Sequence, residues 1–235
     1  MTVQLVKGPS GEPESSPTRV PAIILREVSF AYNKGGPDLF AGLNLKLFNP
    51  FITCVSGALG SGKTTLGKLM VGLLRPTRGA IQIFGRDSGG LSLGHIGRQV
   101  AYLFQQPRQQ VFAATTAEEL TLSMVLTGYS QARMANRRQH LLRLFGLEHR
   151  AGAHPFRLSR GELQRLALAT LFVGERRYMI LDEPFTGLDA AGRHTLVRLL
   201  RRTRALGIGA CLISHDPLAG TLADVQYTLT EAPVA

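Results

Sequence analysis

A glycine-rich segment in the first third of the chain has the residue types and spacing to bind phosphate groups. Residues 57–65 read GALGSGKTT, which fits the pattern G-x-x-x-x-G-K-[ST]. The segment follows a short apolar run and precedes helical periodicity, so its backbone N–H groups and a helix N-terminus can face an anion. Lys63 is predicted to reach the β- and γ-phosphates of a nucleotide, and Thr64 is predicted to ligate Mg²⁺.

A pair of acidic residues ends an apolar run in the last third of the chain. Residues 177–183 read RYMILDE, which indicates a buried strand with Asp182 and Glu183 at its carboxyl end. Carboxylates in such a place are costly unless they have a function there. Asp182 is predicted to hold Mg²⁺, directly or through water, and Glu183 to orient and polarise an attacking water. The pattern is common by itself and becomes specific beside a phosphate loop.

A third segment could form a second anion site. Residues 158–162 read LSRGE and precede a strong helix former, so Ser159 is a good N-cap with Glu162 three residues later. A plain helix cap would explain the segment alone. The Ser159 hydroxyl, the Gly161 N–H and the helix N-terminus can also bind an anion. Two anion-binding helix starts in one chain suggest that two copies share each nucleotide.

Alternating strands and helices are predicted to position these segments. Strands are expected at 23–30, 43–47, 51–55, 80–84, 99–104, 178–181, 209–213 and 225–229. Helices are expected at 63–74, 116–126, 131–145, 160–173, 190–206 and 217–222. This rhythm indicates an α/β fold with a parallel sheet between helices, interrupted by a helical lobe at about 106–160. Residues 1–21 are rich in proline and glycine and are predicted to be a disordered tail.

Composition limits the function classes. The 235 residues have 44% hydrophobic and 18% charged residues, which is typical of one globular domain. A run of roughly 18 to 20 apolar residues is absent from the sequence, so no membrane span is expected. The net charge of +11 suits phosphates, nucleic acid or anionic lipid, and a solvated basic face explains it equally well. Cys54 and Cys211 lie in apolar runs and are predicted to be buried free thiols.

These motifs together resemble the ATP-binding cassette (ABC) family. The phosphate loop, Gln105, residues 158–162, Asp182-Glu183, Leu188-Asp189 and Ser214-His215-Asp216 occur in the order and at the spacing of that family. The resemblance covers about residues 23–230. It implies a P-loop NTPase fold at 22–231 with a mainly parallel sheet, an N-terminal antiparallel β subdomain and a helical signature subdomain. It also implies ATPase activity with Mg²⁺ and a head-to-tail dimer with a second ABC ATPase subunit, of the same or a related chain.

The resemblance also implies a role for each site residue. Tyr32 would stack on adenine, Gln105 would sense Mg²⁺ and the water, and His215 would contact the γ-phosphate. The catalytic residues would be Glu183, His215 and Gln105, and the Mg²⁺ ligands Thr64, Gln105 and Asp182. The implied ATP-binding residues are Tyr32, Gly57, Gly60, Ser61, Gly62, Lys63, Thr64, Thr65, Ser159, Gly161, Glu162 and Asp189.

A narrower likeness covers residues 102–120. The segment YLFQQPRQQVF, followed by Thr115 and Glu118-Glu119-Leu120, resembles the energy-coupling factor (ECF) branch of importers. This branch takes up vitamins and transition-metal ions, so the likeness implies a transmembrane coupling protein, a substrate-binding membrane protein and a peripheral location at the cytoplasmic face of the membrane. The segment 108–120 is predicted to dock the membrane partner through Gln110 and Phe112; otherwise Phe112 is a core residue and Gln110 is solvated.

Two positions depart from the family pattern, and two other functions stay open. Arg160 stands where the family usually has glycine, and Glu162 where glutamine is commonest, so altered kinetics rather than inactivity are expected. A soluble ABC ATPase acting on nucleic acid or ribosomes would also suit the basic charge. Such proteins usually have two fused cassettes or a long coiled coil, so nucleic acid is not expected as a partner. A switch without turnover would not need Glu183 and His215.

Overall fold

The computed structural model describes residues 3–7, 20–126 and 128–231. Their ten strands form one sheet in the order β6-β5-β2-β3-β1-β10-β4-β9-β8-β7. The strands are β1 (Val3–Lys7), β2 (Val20–Phe30), β3 (Phe40–Asn49), β4 (Ile52–Gly57), β5 (Arg78–Ile83), β6 (Arg86–Asp87), β7 (Val100–Leu103), β8 (Tyr178–Asp182), β9 (Gly209–Ile213) and β10 (Val225–Glu231).

The sheet has a parallel half and an antiparallel half. Strands β10, β4, β9, β8 and β7 pair parallel, each with the next. Strands β3, β2, β5 and β6 pair antiparallel. Every residue of β8 and β9 is buried, as expected for central parallel strands covered on both faces. The predicted α/β class with an antiparallel β subdomain is therefore confirmed.

Within the described residues, seven α-helices cover the sheet and form the predicted helical lobe. They are α1 (Lys63–Met70), α2 (Leu93–Gln99), α3 (Thr116–Leu126), α4 (Gln131–Leu144), α5 (Arg160–Leu171), α6 (Ala190–Ala205) and α7 (Pro217–Leu222). Helix α1 ends before the predicted residue 74. Gly72 adopts a φ of +73°, and the N–H of Leu73 returns to the carbonyl of Lys68. A glycine in this conformation is a usual helix terminator.

Two hydrophobic clusters fix the layers. One contains Leu66, Leu69 and Met70 of α1 together with the inner face of the antiparallel strands. The other joins α3, α4, α5 and α6 to the opposite face of the parallel strands, for example through Leu120 and Leu166. Cys54 and Cys211 are buried free thiols, as predicted. The helical lobe is therefore continuous with the core through α5.

The prediction of a disordered tail at residues 1–21 is wrong in two places, where the structure has strand residues instead. The backbone of β1 pairs antiparallel with β10 and parallel with β3, filling the space between the two halves of the sheet. Its sequence, VQLVK, is rich in β-branched residues but too short to stand out beside the proline-rich stretch. Strand β2 also begins at Val20, and the rest of the predicted tail lies outside the described residues.

The pattern also missed β6 and α2. Strand β6 has two residues, which is too short for a periodicity. Helix α2 contains Gly94 and Gly97 and buries only Ile96, so its apolar face does not appear in the sequence. The helix forms because the Ser92 side chain accepts a hydrogen bond from the His95 N–H at its first turn.

Gly79 is expected to be essential to the pairing of strands β2 and β5. A Cβ at Gly79 would lie 2.3 Å from the carbonyl oxygen of Glu27, beside a bulge in β2, and Gly79 has a φ of +82°. We expect Gly79→Ala to lower the free energy of unfolding by more than the roughly 1–3 kcal/mol that the left-handed backbone alone would cost. Urea denaturation measures this change.

Gly97→Ala provides the matched control. Gly97 lies inside α2, and a Cβ there would meet nothing within 4 Å. The variant should be unchanged or more stable by about 0.5–1 kcal/mol, since alanine favours a helix interior over glycine. Equal stability of the two variants would contradict the assigned geometry of the bulge.

Candidate functional site

The phosphate loop and the acidic strand end line one cavity. Its volume is about 700 Å³. Most of the residues that the sequence singled out line it, and the full set is Gly57, Leu59, Gly60, Ser61, Gly62, Lys63, Thr64, Thr65, Gln105, Arg160, Asp182, Glu183, Thr186 and His215. The cavity lies at the carboxyl ends of the parallel strands β4, β8 and β9, where open α/β sheets bind ligands.

The loop between β4 and α1 is shaped to surround an anion. Gly60 and Gly62 both have a φ above +80°, which glycine adopts without strain and other residues rarely do. Gly62 occupies the N-cap of α1 without a side-chain hydrogen bond, so the first helical N–H groups have no side-chain cap there. Lys63 Nζ donates to the carbonyls of Gly57 and Ala58 at 2.8 and 2.7 Å. The ammonium group is therefore held over the loop, where phosphate oxygens could replace these acceptors.

Thr64, Gln105 and Asp182 form a set of oxygen donors that fits Mg²⁺. The Thr64 hydroxyl donates to Gln105 Oε1 at 3.3 Å, and Thr64 is close enough to the Asp182 carboxyl group to lower its pKa. Asp182 Oδ2 is buried and has no hydrogen-bond partner among the described residues. An unpartnered buried carboxylate oxygen beside a hydroxyl and an amide oxygen fits a hard cation that completes its shell with phosphate oxygens and water.

The Asp182 carboxyl group has a raised pKa. Burial is the main cause and the nearby Glu183 carboxylate adds to it, while Thr64 and the charges of Lys63 and Lys68 act in the opposite direction. The resulting pKa is about 6, against 3.8 for an ordinary aspartate. A cation bound at Asp182 would offset this cost, because it favours the ionised form.

Glu183 is held by two neighbours in the loop after β9. The Ser214 hydroxyl donates to Glu183 Oε2 at 3.0 Å, and His215 Nδ1 lies 2.8 Å from Glu183 Oε1. Glu183 has a φ of +50°, a strained conformation for a residue with a side chain, and it is nearly buried. The Gln164 amide contacts the carbonyls of Glu183 and Pro184 at 3.5 and 3.2 Å. The carboxylate is thus fixed in direction and protected from most of the solvent.

Three residues of this environment were not predicted as site residues. Ser214 was noted only as part of a motif, although its hydroxyl binds Glu183 directly. Thr186 lines the cavity, and Gln164 supports the turn from the buried side of α5. Serine, threonine and glutamine are common in turns and helices, so only their contacts distinguish them. The family order around His215 was the one available signal for Ser214.

Tyr32 lies beside the phosphate loop. Its side chain is 65% exposed, and its hydroxyl is 2.6 Å from the Thr65 hydroxyl at the start of α1. The Phe30 ring packs edge-to-face against it at 5.0 Å. One face of an exposed aromatic ring is therefore available next to the loop, which agrees with the expected stacking role without testing it.

The signature segment 158–162 lies largely outside the cavity of its own chain. Ser159 and Gly161 do not line it, whereas the Arg160 side chain does. A Cβ at Gly161 would lie 2.7 Å from the Gly187 carbonyl oxygen, so the start of α5 packs directly on the turn that follows Glu183. Asp189, also expected at the nucleotide, caps α6 by accepting from the Gly192 N–H. It lies 3.7 Å from Arg165 Nη1.

Glu162 has internal partners where the sequence analysis expected contact with ATP. Its carboxylate accepts from the Ser159 N–H and from Arg150 Nε, both at 2.8 Å, and the Glu162 N–H donates to Ser159 Oγ. These contacts form a capping box, with the Arg150 hydrogen bond as the largest cause of a lowered pKa of about 2. The Glu162 carboxylate therefore closes the first turn of α5 in its own chain, and its contact with ATP stays a prediction.

The pKa of Asp182 predicts a pH-dependent cost to stability. The pKa is higher in the folded protein, so ionisation of Asp182 opposes folding. The cost is absent below about pH 4, grows towards about pH 6 and is complete above it. In Mg²⁺-free buffer, we expect Asp182→Asn to gain up to about 3 kcal/mol of unfolding free energy relative to wild type between pH 4 and pH 7. Urea denaturation over this range tests the prediction.

The same experiment contains its control. Adding Mg²⁺ and nucleotide at pH 7 should stabilise the wild-type protein more than the Asp182→Asn variant, because the variant lacks the carboxylate that favours the cation. A stability difference between variant and wild type that stays constant from pH 4 to pH 7 would contradict the shifted pKa.

The chain matches a protein-family model and many known proteins. The model, described as ABC transporter, matches residues 40–186. An ABC transporter ATP-binding protein of Caldanaerobacter subterraneus is 34% identical over 81% of this chain, which spans only 33% of that relative. An ABC transporter ATP-binding protein of Pyrococcus furiosus is 35% identical over 83% of this chain, and the match covers 74% of that relative. The energy-coupling factor transporter ATP-binding protein EcfA2 of Streptococcus sanguinis is 32% identical over 90% of this chain and 79% of its own.

Solved structures have the same fold. The ATP-binding subunit of an ABC transporter superposes with a TM-score of 0.79 at 28% identity, over 88% of this chain and 85% of that one. CbiO1 of Clostridium perfringens is described as part of the ABC transporter complex cbiONQ. It superposes with a TM-score of 0.73 at 25% identity, over 89% of this chain and 85% of that one. The fold is therefore that of the ABC ATPases, as expected from the sequence. The chain belongs to the ABC transporter family.

Proposed function

We propose that this chain is the ATP-hydrolysing subunit of an ECF-type importer for a vitamin or a transition-metal ion. The observation that carries the ATPase role is the single cavity that joins Lys63, Gln105, Asp182, Glu183 and His215. The importer role is supported by the likeness to EcfA2 of Streptococcus sanguinis and to CbiO1 of Clostridium perfringens.

Hydrolysis follows from the roles that the geometry allows. Lys63 and the N-terminus of α1 would bind the β- and γ-phosphates, and Thr64, Gln105 and Asp182 would hold Mg²⁺. The bound ion would neutralise charge on the phosphates as the terminal bond breaks. Glu183, fixed by Ser214 and His215, would accept a proton from a water molecule. The oxygen of that water would then attack the γ-phosphorus, and ADP would leave.

A second ATPase subunit would complete each site. Ser159 and Gly161 offer a hydroxyl and a helix N-terminus, yet they lie outside the cavity of their own chain. Head-to-tail pairing would place these groups over the nucleotide of the partner and close the open side of the cavity. Closure on ATP and reopening after hydrolysis would then supply the movement that drives transport.

Glu183→Gln is expected to separate binding from hydrolysis. The amide keeps the shape of the side chain but cannot take a proton, so turnover should fall by about a hundredfold or more. ATP should still bind, and the variant should accumulate as an ATP-bound dimer on size-exclusion chromatography. Phosphate release by the purified proteins measures the rate.

Glu148→Gln is the matched control for this change. Glu148 is a half-exposed partner of Arg143 in the helical lobe, far along the chain from the acidic strand end. It should hydrolyse ATP at the wild-type rate. Near wild-type turnover by Glu183→Gln, in preparations free of other ATPases, would contradict the assigned role of Glu183.

Gln110, predicted to dock the membrane partner, forms hydrogen bonds inside the protein with both ends of its amide and also lines the groove described below. Gln110 Oε1 accepts from the Phe104 N–H at 3.0 Å, and Nε2 donates to the Ala167 carbonyl at 3.0 Å. The side chain therefore joins the end of β7 to helix α5 inside the protein. Phe112 is 78% exposed, so the alternative that it is a core residue is wrong, and its docking role stays a prediction.

An apolar groove next to Gln105 is the better docking surface. Its volume is about 260 Å³, and it lies between α2, the end of β7 and α3. Leu93 and Leu126 on its two sides are 54% and 69% exposed, which is unusual for leucine. None of the helices in the described ranges is long and apolar enough to cross a membrane. We place a segment of the transmembrane coupling protein in this groove, with the ATPase at the cytoplasmic face of the membrane.

The groove predicts a loss of assembly without loss of ATP binding. Leu93→Asp with Leu126→Asp would put two charges into an apolar contact, so co-purification of the transmembrane coupling protein and the substrate-binding membrane protein should fall by about tenfold or more. Quantitative mass spectrometry of detergent-solubilised membranes measures the fall, and ATP binding by the isolated subunit should be unchanged.

Val125→Asp serves as the control, because Val125 is 57% exposed on the same helix as Leu126 but does not line the groove. It should assemble like the wild type. Normal assembly of the doubly substituted chain would place the docking surface elsewhere. Co-purification of ribosomes or nucleic acid in place of membrane proteins would favour the soluble alternative.

A further inference from the structure

A second large cavity lies away from the nucleotide cavity. It has a volume of about 640 Å³ and is enclosed by α4 of the helical lobe, α6 of the core and the start of β8. Met179, near the amino end of β8, lines it, whereas Asp182 at the carboxyl end of the same strand lines the nucleotide cavity. The volume falls in the range of small-molecule sites. ATP binding as described above leaves this cavity unused.

Positive charge dominates its wall. Arg137, Arg176, Arg198 and Arg202 line it with a single acid, Glu175. On α6, Arg193 and Arg204 form ion pairs with Asp216 and Asp224. The four cavity arginines have no carboxylate within 4 Å in the part of the chain that the structure describes. Two α6 arginines outside the cavity are therefore paired with acids, whereas the four at the cavity form no ion pair among the described residues and outnumber its one acid.

Two of these arginines are fixed and under-satisfied. Arg137 Nη2 donates to the Phe172 carbonyl at 2.6 Å, and Arg176 Nη1 donates to the Gly97 carbonyl at 2.5 Å. The Nε atoms of both are buried without a hydrogen-bond partner among the described residues. Buried donors are normally satisfied, and leaving one unpaired costs free energy. Because these Nε atoms are closed off from solvent, an anionic oxygen in the cavity would instead meet the terminal Nη groups of the arginines.

The floor of the cavity is apolar. Leu141, Phe172 and Met179 are buried there, and Leu199 and Ile208 are partly buried. A free phosphate would use the arginines but leave this floor in contact with water. A purely apolar molecule would use the floor but leave the guanidinium groups unpaired. The wall and the floor together therefore select a molecule with a charged head and an apolar body.

We propose that this cavity binds an amphiphilic anion, whose carboxylate or phosphate head lies among the arginines and whose apolar body lies on the floor. Such a ligand would bridge α4 and α6 and so tie the helical lobe to the core. Arg176 lines both this cavity and the apolar groove beside Gln105, which puts the ligand one side chain away from that groove. The inference does not depend on which solute is transported.

Decanoate is a suitable probe, because it is a monomeric amphiphilic anion at low concentration. It should bind wild-type protein in isothermal titration calorimetry and raise its thermal unfolding temperature, and decanol should bind at least about tenfold more weakly. Arg198→Ala with Arg202→Ala should weaken decanoate binding by about tenfold or more. Arg133→Ala with Arg201→Ala is the control: both residues are exposed on the same two helices but do not line the cavity.

Vesicles distinguish the sources of the amphiphile. Competition between phosphatidylglycerol vesicles and decanoate, with no effect of phosphatidylcholine, would support the cavity with a membrane lipid as its ligand. Decanoate binding without such competition would support it with a free anion. Three results would overturn the proposal. They are equal binding of decanol and decanoate, an equal loss of decanoate binding in both double variants, and vesicle binding without decanoate binding. Unchanged ATP hydrolysis by both double variants shows that they are folded.

Discussion

The burial of two adjacent carboxylates at the end of β8 is the constraint on which the site depends. Asp182 and Glu183 are 1% and 8% exposed, and buried ionised groups are costly unless other charges or hydrogen bonds compensate them. Glu183 is compensated by Ser214 and His215, whereas one oxygen of Asp182 stays unpaired among the described residues. A cation bound at Asp182 would compensate this carboxylate, which would couple ligand binding to stability.

Hydrogen bonds connect this site to the helical lobe. Gln110 joins the Phe104 N–H, next to Gln105, to the Ala167 carbonyl of α5. The first turn of α5 is closed by the capping box of Ser159 and Glu162 and fixed by Arg150. A displacement of Gln105 by bound Mg²⁺ and nucleotide would thus reach the signature segment through a short chain of bonded groups, a route that rests on contacts within one chain.

Local patterns predicted most of the elements and most of the residues that line the nucleotide cavity. Helices α3 and α7 and strand β9 lie at the predicted bounds. For α7 the reason is local, since Asp216 caps the helix and Pro217 begins it. Predictions from the sequence failed where contacts between residues far apart in the chain determine the structure. Strand β1 exists because two distant strands leave a place for it, and Glu162 and Gln110 face inward because of Arg150 and Ala167, which no local pattern reveals.

The central claim is that the phosphate loop of one chain and the signature of another share each ATP. Complementation tests it with Lys63→Ala, which disables the loop, and Ser159→Asp, which keeps a helix cap but repels phosphate. Each variant alone should lack turnover, because both sites of its dimer contain the defect. Mixing them should restore part of the wild-type rate, since one site of each mixed dimer is then intact. Full activity of Ser159→Asp alone, or a mixture as inactive as its components, would contradict the account.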